Sequence, residues 1–282
     1  MGLFGKLFDK KECAICGGEI GLLGNRKLED GNMCKHCAAK LSPWFEDRRQ
    51  STVAEIEEQL AYREANKEKV AVFNTTRTLG EITKVLLDED ARVFMVTSSR
   101  DFEEDNPDVL AFTDVTGCDL DIDESEDEIT YKDKEGKEVS YNPPRYKYFY
   151  DFYVVIHVRN PYFSDIRFKL NGPSVEIDPT RGMPVGARPV GAAAPARGAV
   201  GRAINSMASR RSFNPETDPD YRRYQAMAEE IKEALLNVRQ QARDEVAAAA
   251  APKAAVTCPY CGATTTPDAA GCCEYCGGAV NG

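Results

Sequence analysis

Eight of the ten cysteines in this 282-residue chain lie in two sets near opposite ends, and each set consists of two C-x2-C pairs. The sets are Cys13, Cys16, Cys34 and Cys37, and Cys258, Cys261, Cys273 and Cys276. Two such pairs supply four thiolates to one tetrahedral zinc ion, with Zn–S bonds of about 2.3 Å. Because neither set leaves a ligand position for water, the sequence predicts two structural Zn²⁺ ions held by these eight cysteines.

Glycines beside the cysteines favour the tight turns that such sites need. Gly17 follows Cys16, and Gly262 and Gly277 follow the two pairs of the second set. Glycine adopts positive φ without strain and lets backbone amides approach the sulfurs. The pattern therefore predicts zinc knuckles at both ends of the chain.

The connections within the two sets indicate different small folds. Turn signals at Gly24-Asn25 and Asp30-Gly31 predict a hairpin within residues 19–33. A helix is expected to begin at residues 38–41, after the last cysteine of the first set. This order resembles a treble clef. The second set, with its short connection containing Pro and Gly, resembles a zinc ribbon.

Disulfides, redox-active pairs and buried thiols are the alternatives for these cysteines. Residues 1–12 lack the long apolar run and cleavage site of a secretory signal, so we expect a cytoplasmic protein, in a compartment where disulfides are disfavoured. A redox C-x-x-C motif would follow a strand in a βαβ unit, and neither end shows that pattern. Zinc is therefore the favoured interpretation.

Three further residues need an assignment. Cys118 lies in a strand-like stretch and is expected to be a small buried hydrophobic residue. Cys272 adjoins Cys273 and could replace it as a ligand, although the C-x2-C spacing favours Cys273. His36 lies between the cysteines of a C-x2-C pair and is expected to be a bystander.

The net charge of −10 argues against nucleic acid as a partner, since phosphate binding needs a cationic surface. The charge is also segregated along the chain. Residues 101–128 hold thirteen acids and no Lys or Arg, whereas residues 179–215 hold six arginines and no acid. The simpler interpretation is a solvated acidic sheet edge and a flexible basic loop. The alternative is a latch, in which the arginine loop covers the acidic face until a partner displaces it.

Hydrophobic periodicity predicts an α+β chain with a β-rich core. Thr52 and Glu55 form a capping box that begins a helix to about residue 69. Strands are predicted at residues 80–87, 92–97, 109–115, 128–131, 138–141, 148–159 and 166–170, and a C-terminal helix begins at Pro219. That helix carries an apolar stripe of Tyr224, Ala228, Ile231, Leu235, Val238 and Ala242.

We therefore expect seven segments. They are an N-terminal zinc module (1–45), a connecting helix (46–74), a β-rich domain (75–178), a flexible loop rich in Gly, Ala, Pro and Arg (179–217), a helix closing the β-rich domain (218–247), a linker (248–256) and a zinc ribbon (257–282). In residues 1–11, Leu3, Phe4, Leu7 and Phe8 recur at helical spacing. This N-terminal segment could lie on a membrane surface, pack on the zinc module, or stay mobile.

Three stretches resemble known families. The run Cys-x-x-Cys-Gly-Gly-Glu-Ile-Gly-Leu-Leu-Gly-Asn-Arg-Lys-Leu-x-Asp-Gly-x-x-Cys-x-x-Cys resembles an uncharacterised bacterial family with an N-terminal four-cysteine zinc-binding domain of unknown function. Residues 80–96 and 109–120, with Leu87-Asp88-Glu89 and Phe112-Thr113-Asp114-Val115, resemble bacterial pleckstrin-homology-like domains. That resemblance implies a curved sheet closed by a C-terminal helix. The tail resembles bacterial zinc ribbons. None of these resemblances implies a catalytic residue.

The residues themselves favour binding over catalysis. The chain contains no phosphate-binding loop, no H-E-x-x-H motif and no G-x-S-x-G motif. His157, with Asp151 and Arg159 on the same strand face, could support acid–base chemistry, but an exposed sheet surface explains these residues better. We therefore expect a non-enzymatic adaptor that binds proteins. The alternatives are a peripheral membrane adaptor, using the N-terminal segment and the β-rich domain, and, third, nucleic-acid binding through the arginine loop and the ribbon. The sequence does not identify the protein partner or the oligomeric state.

Overall fold

The computed structural model describes residues 11–184, 213–250, 255–268 and 271–280. It is a mixed α/β and β-rich structure with a long C-terminal helix and two four-cysteine modules, as the sequence predicts. Two compact units, residues 1–239 and 240–282, are described separately below. Residues 1–10 of the N-terminal segment, most of the arginine loop (185–212) and part of the linker (251–254) lie outside the described residues. So do five of the six loop arginines, Arg188, Arg197, Arg202, Arg210 and Arg211.

The first four-cysteine module consists of two short hairpins and one turn of helix. Strand β1 (Lys11–Glu12) pairs with β2 (Glu19–Ile20), β3 (Asn25–Lys27) pairs with β4 (Asn32–Cys34), and helix α1 spans Lys35–Ala38. The predicted hairpin is confirmed. The helix expected at 38–41 is misplaced, because the side chain of Cys34 caps an earlier turn by accepting a hydrogen bond from the amide of Cys37.

Helix α2 (Val53–Ala71) connects this module to the first sheet. The Thr52–Glu55 capping box begins it as predicted, and the amide of Val53 donates to Asp30 Oδ1 at 2.8 Å. Near its N-terminus, Ile56 packs in the core of the module. Near its C-terminus, Val70 packs in a second apolar cluster, with side chains of the sheet. The helix therefore contributes to two cores.

The first sheet is an antiparallel meander of four strands, β5 (Arg77–Leu79), β6 (Lys84–Asp88), β7 (Val93–Thr97) and β8 (Leu110–Ala111). A short helix, α3 (Phe102–Asp105), lies between β7 and β8. The predicted strand at 80–87 is wrong in its first half, because the chain turns at Gly80, which has φ of +85° and lies against the carbonyl of Thr83. The predicted strand at 109–115 is interrupted: it contains β8, then a 3₁₀ turn at Phe112–Asp114, and ends at Val115, where the next strand begins.

The second sheet is built around one long strand. Strand β10 (Glu138–Val158) pairs along one edge with β9 (Val115–Lys132), and along the other edge with β11 (Asp165–Lys169) and β12 (Val175–Ile177). The hairpin predicted around Gly136 and the strands predicted at 148–159 and 166–170 are confirmed within this sheet. Asn171 fills the junction between β11 and β12: its Oδ1 accepts from the amide of Phe152 at 2.8 Å, and its Nδ2 donates to the carbonyl of Tyr150 at 3.0 Å.

Much of the acidic run lies on β9, which pairs only with β10 among the described residues and is therefore an edge strand. Charged side chains on an edge discourage pairing with a second chain. Arg167 on β11 contacts two of these carboxylates, Asp121 at 2.9 Å and Asp123 at 3.3 Å. The simpler interpretation of the acidic run, a solvated sheet edge, agrees with this placement. The latch remains a prediction, because most of the loop lies outside the described residues.

Helix α4 (Pro219–Ala250) covers the inner face of the second sheet over its first turns. Tyr221 packs edge-on against Tyr150 and Phe152, at ring-centroid distances of 5.0 Å. Farther along, Ile231 and Leu235 are completely buried. The predicted apolar stripe is buried except for Tyr224, which is half-buried.

The second unit contains the other four-cysteine module. Strand β13 (Val256–Thr257) pairs with β14 (Thr264–Thr265), and Cys258, Cys273 and Val280 form a small core. Two of these three residues are cysteines of the cluster, so apolar side chains contribute little to this core. Across the described parts of the whole chain, no helix combines the length and apolarity that crossing a bilayer requires.

Candidate metal centres

The first cluster brings together four cysteines from two hairpins and one helical turn. The Sγ atoms of Cys13, Cys16, Cys34 and Cys37 all lie within 4.8 Å of one another. The Cys16 and Cys34 sulfurs are 3.9 Å apart. Four thiolates around zinc at about 2.3 Å would have sulfurs about 3.8 Å apart, so the cluster fits a tetrahedral ion.

Backbone geometry explains how Cys13 and Cys16 reach the same point. The amide of Gly17 donates to the carbonyl of Cys13, and the amide of Cys13 donates to the carbonyl of Gly18, both at 2.8 Å. Gly17 closes this turn with φ of +69°, which a residue with a Cβ rarely adopts. The turn is the predicted knuckle. The second half of the cluster differs, because Cys34 and Cys37 lie on the capped helical turn of α1.

The pKa values of two of these thiols show how the protein controls the negative charge of the cluster. Burial alone would raise the pKa of Cys13, but hydrogen bonds from the amides of Cys34, Cys16 and Ile15 lower it to about 6. Burial and the neighbouring thiols raise the pKa of Cys37 well above its ordinary value. The protein therefore stabilises the thiolate of Cys13 and disfavours that of Cys37 until a divalent cation balances their charge. The donor set fits a metal ion.

The second cluster has the same composition and a more regular architecture. The Sγ atoms of Cys258, Cys261, Cys273 and Cys276 lie within 4.8 Å of one another. Two of the sulfur pairs are close, Cys258–Cys276 at 3.5 Å and Cys261–Cys273 at 3.7 Å. Both spacings are near the value of about 3.8 Å for tetrahedral thiolates.

The thiols of the second cluster differ in pKa as those of the first do. Burial would raise the pKa of Cys258, but the amides of Cys261 and Tyr260 lower it to about 6. The amide of Gly278 lowers the pKa of Cys276, yet the thiols of Cys258 and Cys261 outweigh it and raise that pKa to about 12. Both clusters could therefore hold a metal ion, and each would do so with the same donor chemistry.

A repeated pairing underlies three of the four C-x2-C pairs. In each, the residue before the first cysteine pairs across the turn with the residue six positions after that cysteine. These residue pairs are Glu12 with Glu19, Thr257 with Thr264, and Cys272 with Ala279. Each turn is closed by a glycine with positive φ, namely Gly17, Gly262 and Gly277. This repeat was not predicted from the sequence, although the spacing of the glycines indicates it.

The repeat decides between the two adjacent cysteines. Cys272 occupies the position before the turn, as Glu12 and Thr257 do elsewhere, and pairs with Ala279. Cys273 occupies the first position of the turn, and its sulfur belongs to the cluster. The structure therefore groups Cys273, and not Cys272, with the other three thiols.

Two other residues lie where a structural role explains them. Cys118 is buried on β9, and burial, with the nearby charge of Asp119, raises its pKa to about 12, so its thiol stays protonated. This agrees with the predicted small hydrophobic residue. His36 lies on the one-turn helix and is not part of the cluster of four thiols.

His157 lies on the outer face of the second sheet, with different neighbours from those predicted. Its Nδ1 hydrogen-bonds to Asp165, and its Nε2 lies 3.0 Å from Asp119 Oδ2. These two carboxylates raise the pKa of His157 above its ordinary value. The predicted neighbour Asp151 instead pairs with Lys169 at 2.8 Å. The cluster is thus a cross-strand charge network over β9, β10 and β11.

The comparisons with known proteins cover the first module only. A family model described as a domain of unknown function, DUF4428, matches residues 11–59. The match begins at strand β1 and ends within helix α2, so it includes the four-cysteine cluster and the helical residues that pack on it. No curated protein and no solved structure matches the chain.

Proposed function

We propose that this protein is a non-enzymatic adaptor that binds protein partners and whose two small modules are folded by structural zinc. The single observation that carries the protein-binding part is a pair of exposed tyrosines on the C-terminal module. Tyr260 and Tyr275 are 72% and 71% exposed, and each is the second residue after the first cysteine of its turn. Exposed tyrosines on a rigid backbone are the type of side chain that anchors protein interfaces.

The zinc part of the proposal rests on the donor sets. Each cluster offers four thiols at tetrahedral spacing, which suits zinc better than the hard cations that prefer oxygen ligands. Bound zinc would supply folding free energy to modules whose apolar cores are small. With four protein ligands, the ion would have no position for a substrate, so its role would be structural.

The central part of the chain supports the proposal of a pleckstrin-homology-like platform. The first antiparallel sheet is followed by a second, and the helix that begins at Pro219 covers the inner face of the second sheet. Successive strands followed by a closing helix are what the sequence resemblance implies, although the strands form two sheets rather than the single curved sheet that it also implies. We propose that this platform positions the first module, with which it shares helix α2.

The charge of the C-terminal module favours a protein partner over nucleic acid. Residues 255–280 contain two acids, Asp268 and Glu274, and no Lys or Arg. A module without cations has no means of neutralising phosphates. His157, the strongest candidate for acid–base chemistry, has both ring nitrogens engaged by carboxylates, which supports a non-catalytic role.

The proposal is tested by affinity capture of tagged full-length protein, read by quantitative mass spectrometry. We expect a stoichiometric protein partner that is lost with Tyr260→Ala/Tyr275→Ala and kept with Val72→Ala, which truncates an exposed apolar residue elsewhere. Zinc content should be the same in all three proteins. Partners that persist in the tyrosine variant would refute the role of this surface. The absence of any stoichiometric partner would refute the adaptor.

The second candidate, a peripheral membrane adaptor, is favoured by one feature of the first module. Leu22 and Leu23 are exposed next to a group of cations. These residues lie outside the N-terminal segment (1–11), the part of the chain predicted as an alternative membrane contact.

A further inference from the structure

The most exposed large apolar side chains among the described residues are two adjacent leucines in the first module. Leu22 and Leu23 are 86% and 88% exposed, at the tip of the loop that joins β2 to β3. The loop is a tight turn in which the amide of Gly24 donates to the carbonyl of Gly21 at 2.9 Å. The core of the module closes around other side chains, so folding does not require these leucines.

A group of cations lies beside this loop. Arg26, Lys35 and Arg48 line a surface cavity of about 370 Å³ with no acidic residue in its lining. Among the described residues, none of the three forms an ion pair with a carboxylate. Burial, followed by the charges of Arg49 and Arg26, lowers the pKa of Arg48. Arg26 and Arg48 therefore repel each other, and each donates to a backbone carbonyl, that of Leu23 or Lys27, rather than to an acid, so their charges stay available to an anion.

The leucines and the cations form one continuous surface. Arg26 Nη1 donates a hydrogen bond to the carbonyl of Leu23 at 3.3 Å. Lys35 lines both the cationic cavity and the cavity beneath the loop, whose lining includes Leu22 and Leu23. Glu19 is the acidic residue in the lining beneath the loop. We call Leu22, Leu23, Arg26, Lys35 and Arg48 the loop surface.

We propose that the loop surface docks on an anionic phospholipid bilayer, with Leu22 and Leu23 inserted between headgroups and the three cations on lipid phosphates. The adjacent exposed leucines match the apolar layer just below the lipid headgroups. The cations beside them match the negative charge of the headgroups themselves. Either component alone gives weak and reversible attachment, and together they reinforce each other. Charge complementarity therefore selects an anionic membrane as the occupant.

The inference goes beyond protein binding and uses a different module. It would place the first module at a membrane surface, while the exposed tyrosines of the C-terminal module contact proteins. Residues 1–10 join the module at Lys11, which pairs with Ile20 one residue before the loop. A deletion of residues 2–10 therefore separates their contribution from that of the loop.

The test is co-sedimentation of zinc-loaded full-length protein with vesicles of phosphatidylcholine, with or without phosphatidylserine. We expect binding only to the anionic vesicles, weakening as salt rises. Leu22→Ser/Leu23→Ser should lower the partition coefficient by about tenfold or more. Arg26→Gln/Arg48→Gln should lower it by about fivefold per arginine removed. The controls Val72→Ser and Lys134→Gln, at exposed positions elsewhere, should bind like the parent protein.

Several results would overturn the proposal. Full binding by the leucine variant would show that the loop does not insert. A complete loss of binding on deletion of residues 2–10 alone would show that those residues, and not the loop surface, attach the protein to the membrane. Equal binding to neutral vesicles would remove the role of the cations. No binding to anionic vesicles, combined with a protein partner lost in the leucine variant, would assign the loop surface to a protein. Unchanged zinc content in each variant shows that the module is still folded.

Discussion

Arg63 and Asp108 form a buried ion pair, with Arg63 Nη1 2.9 Å from Asp108 Oδ1 and side chains that are 6% and 0% exposed. Asp108 also accepts from Ser42 Oγ at 2.7 Å, and Arg63 Nε donates to the carbonyl of Lys40 at 3.2 Å. One carboxylate thus joins helix α2, the end of the first module and the segment before β8. The network fixes the cysteine module beside the first sheet.

Breaking this pair should destabilise the protein strongly. Asp108→Ala leaves the Arg63 guanidinium buried without a counter-charge, so we expect a loss of about 3–5 kcal/mol in the free energy of unfolding. The measurement is urea unfolding followed by circular dichroism. Lys67→Ala, which removes an exposed pair with Glu64, is the control and should change little. A similar small loss for both variants would contradict the structural role of Asp108.

The cysteine next to the second cluster gives a test of the repeated turn. Cys272 lies before the turn and Cys273 within it, so Cys272→Ser should keep the metal and Cys273→Ser should lose it. Thiol alkylation and peptide mass spectrometry on the parent protein should modify Cys272 while Cys273 stays protected. Protection of Cys272 together with loss of metal from its serine variant would show that the two residues exchange roles.

The cysteine spacing and the flanking glycines were enough to predict the grouping of the eight thiols. Gly17, Gly262 and Gly277 have the positive φ that the knuckles require. The sequence also predicted the capping box at Thr52, because capping is a local interaction. The second half of the first cluster was harder to predict, because no glycine follows Cys37 and the chain forms a helical turn there.

The features that escaped prediction depend on contacts between distant residues. Aspartate and glutamate have low strand propensity, yet β9 stays extended because it pairs with β10 and because Arg167 contacts its carboxylates. The partner of Asp108 lies 45 positions away along the chain, on helix α2. The loop surface likewise joins a turn, a strand and a helix. No spacing rule relates such residues.

The charge network on the second sheet predicts a pH response. Asp165 and Asp119 raise the pKa of His157, so the stabilising contribution of its charged form is fully present below the ordinary histidine value of about 6.5. That contribution is lost as the pH rises through the raised pKa. A histidine titration by NMR checks this, with His36→Gln used to assign the two signals.

In that titration, Asp119→Asn and Asp165→Asn should each move the His157 midpoint downward. The side chain is 39% exposed, so the effect on unfolding should be small and should shrink as salt rises. A midpoint at or below the ordinary value in the parent protein would contradict the network.

Asn171 should be important for the second sheet although it touches no cysteine. Asn171→Ala removes the side-chain partner of the Phe152 amide and the Tyr150 carbonyl in a buried position, so we expect a loss of about 2 kcal/mol or more. Thermal unfolding measures it. Glu176→Ala on strand β12, which removes a distant contact with Lys147, should have little effect. Equal stability of the two variants would show that the hydrogen bonds of Asn171 do not stabilise the junction between β11 and β12.

The most direct test of the account is the zinc content of the purified chain, measured by inductively coupled plasma mass spectrometry. Two four-thiol clusters predict two zinc ions per chain, with one lost in Cys34→Ser, one lost in Cys276→Ser and both lost in the double variant. A chain that contains no zinc after purification under reducing conditions, or whose zinc content is unchanged by these substitutions, would contradict the central claim.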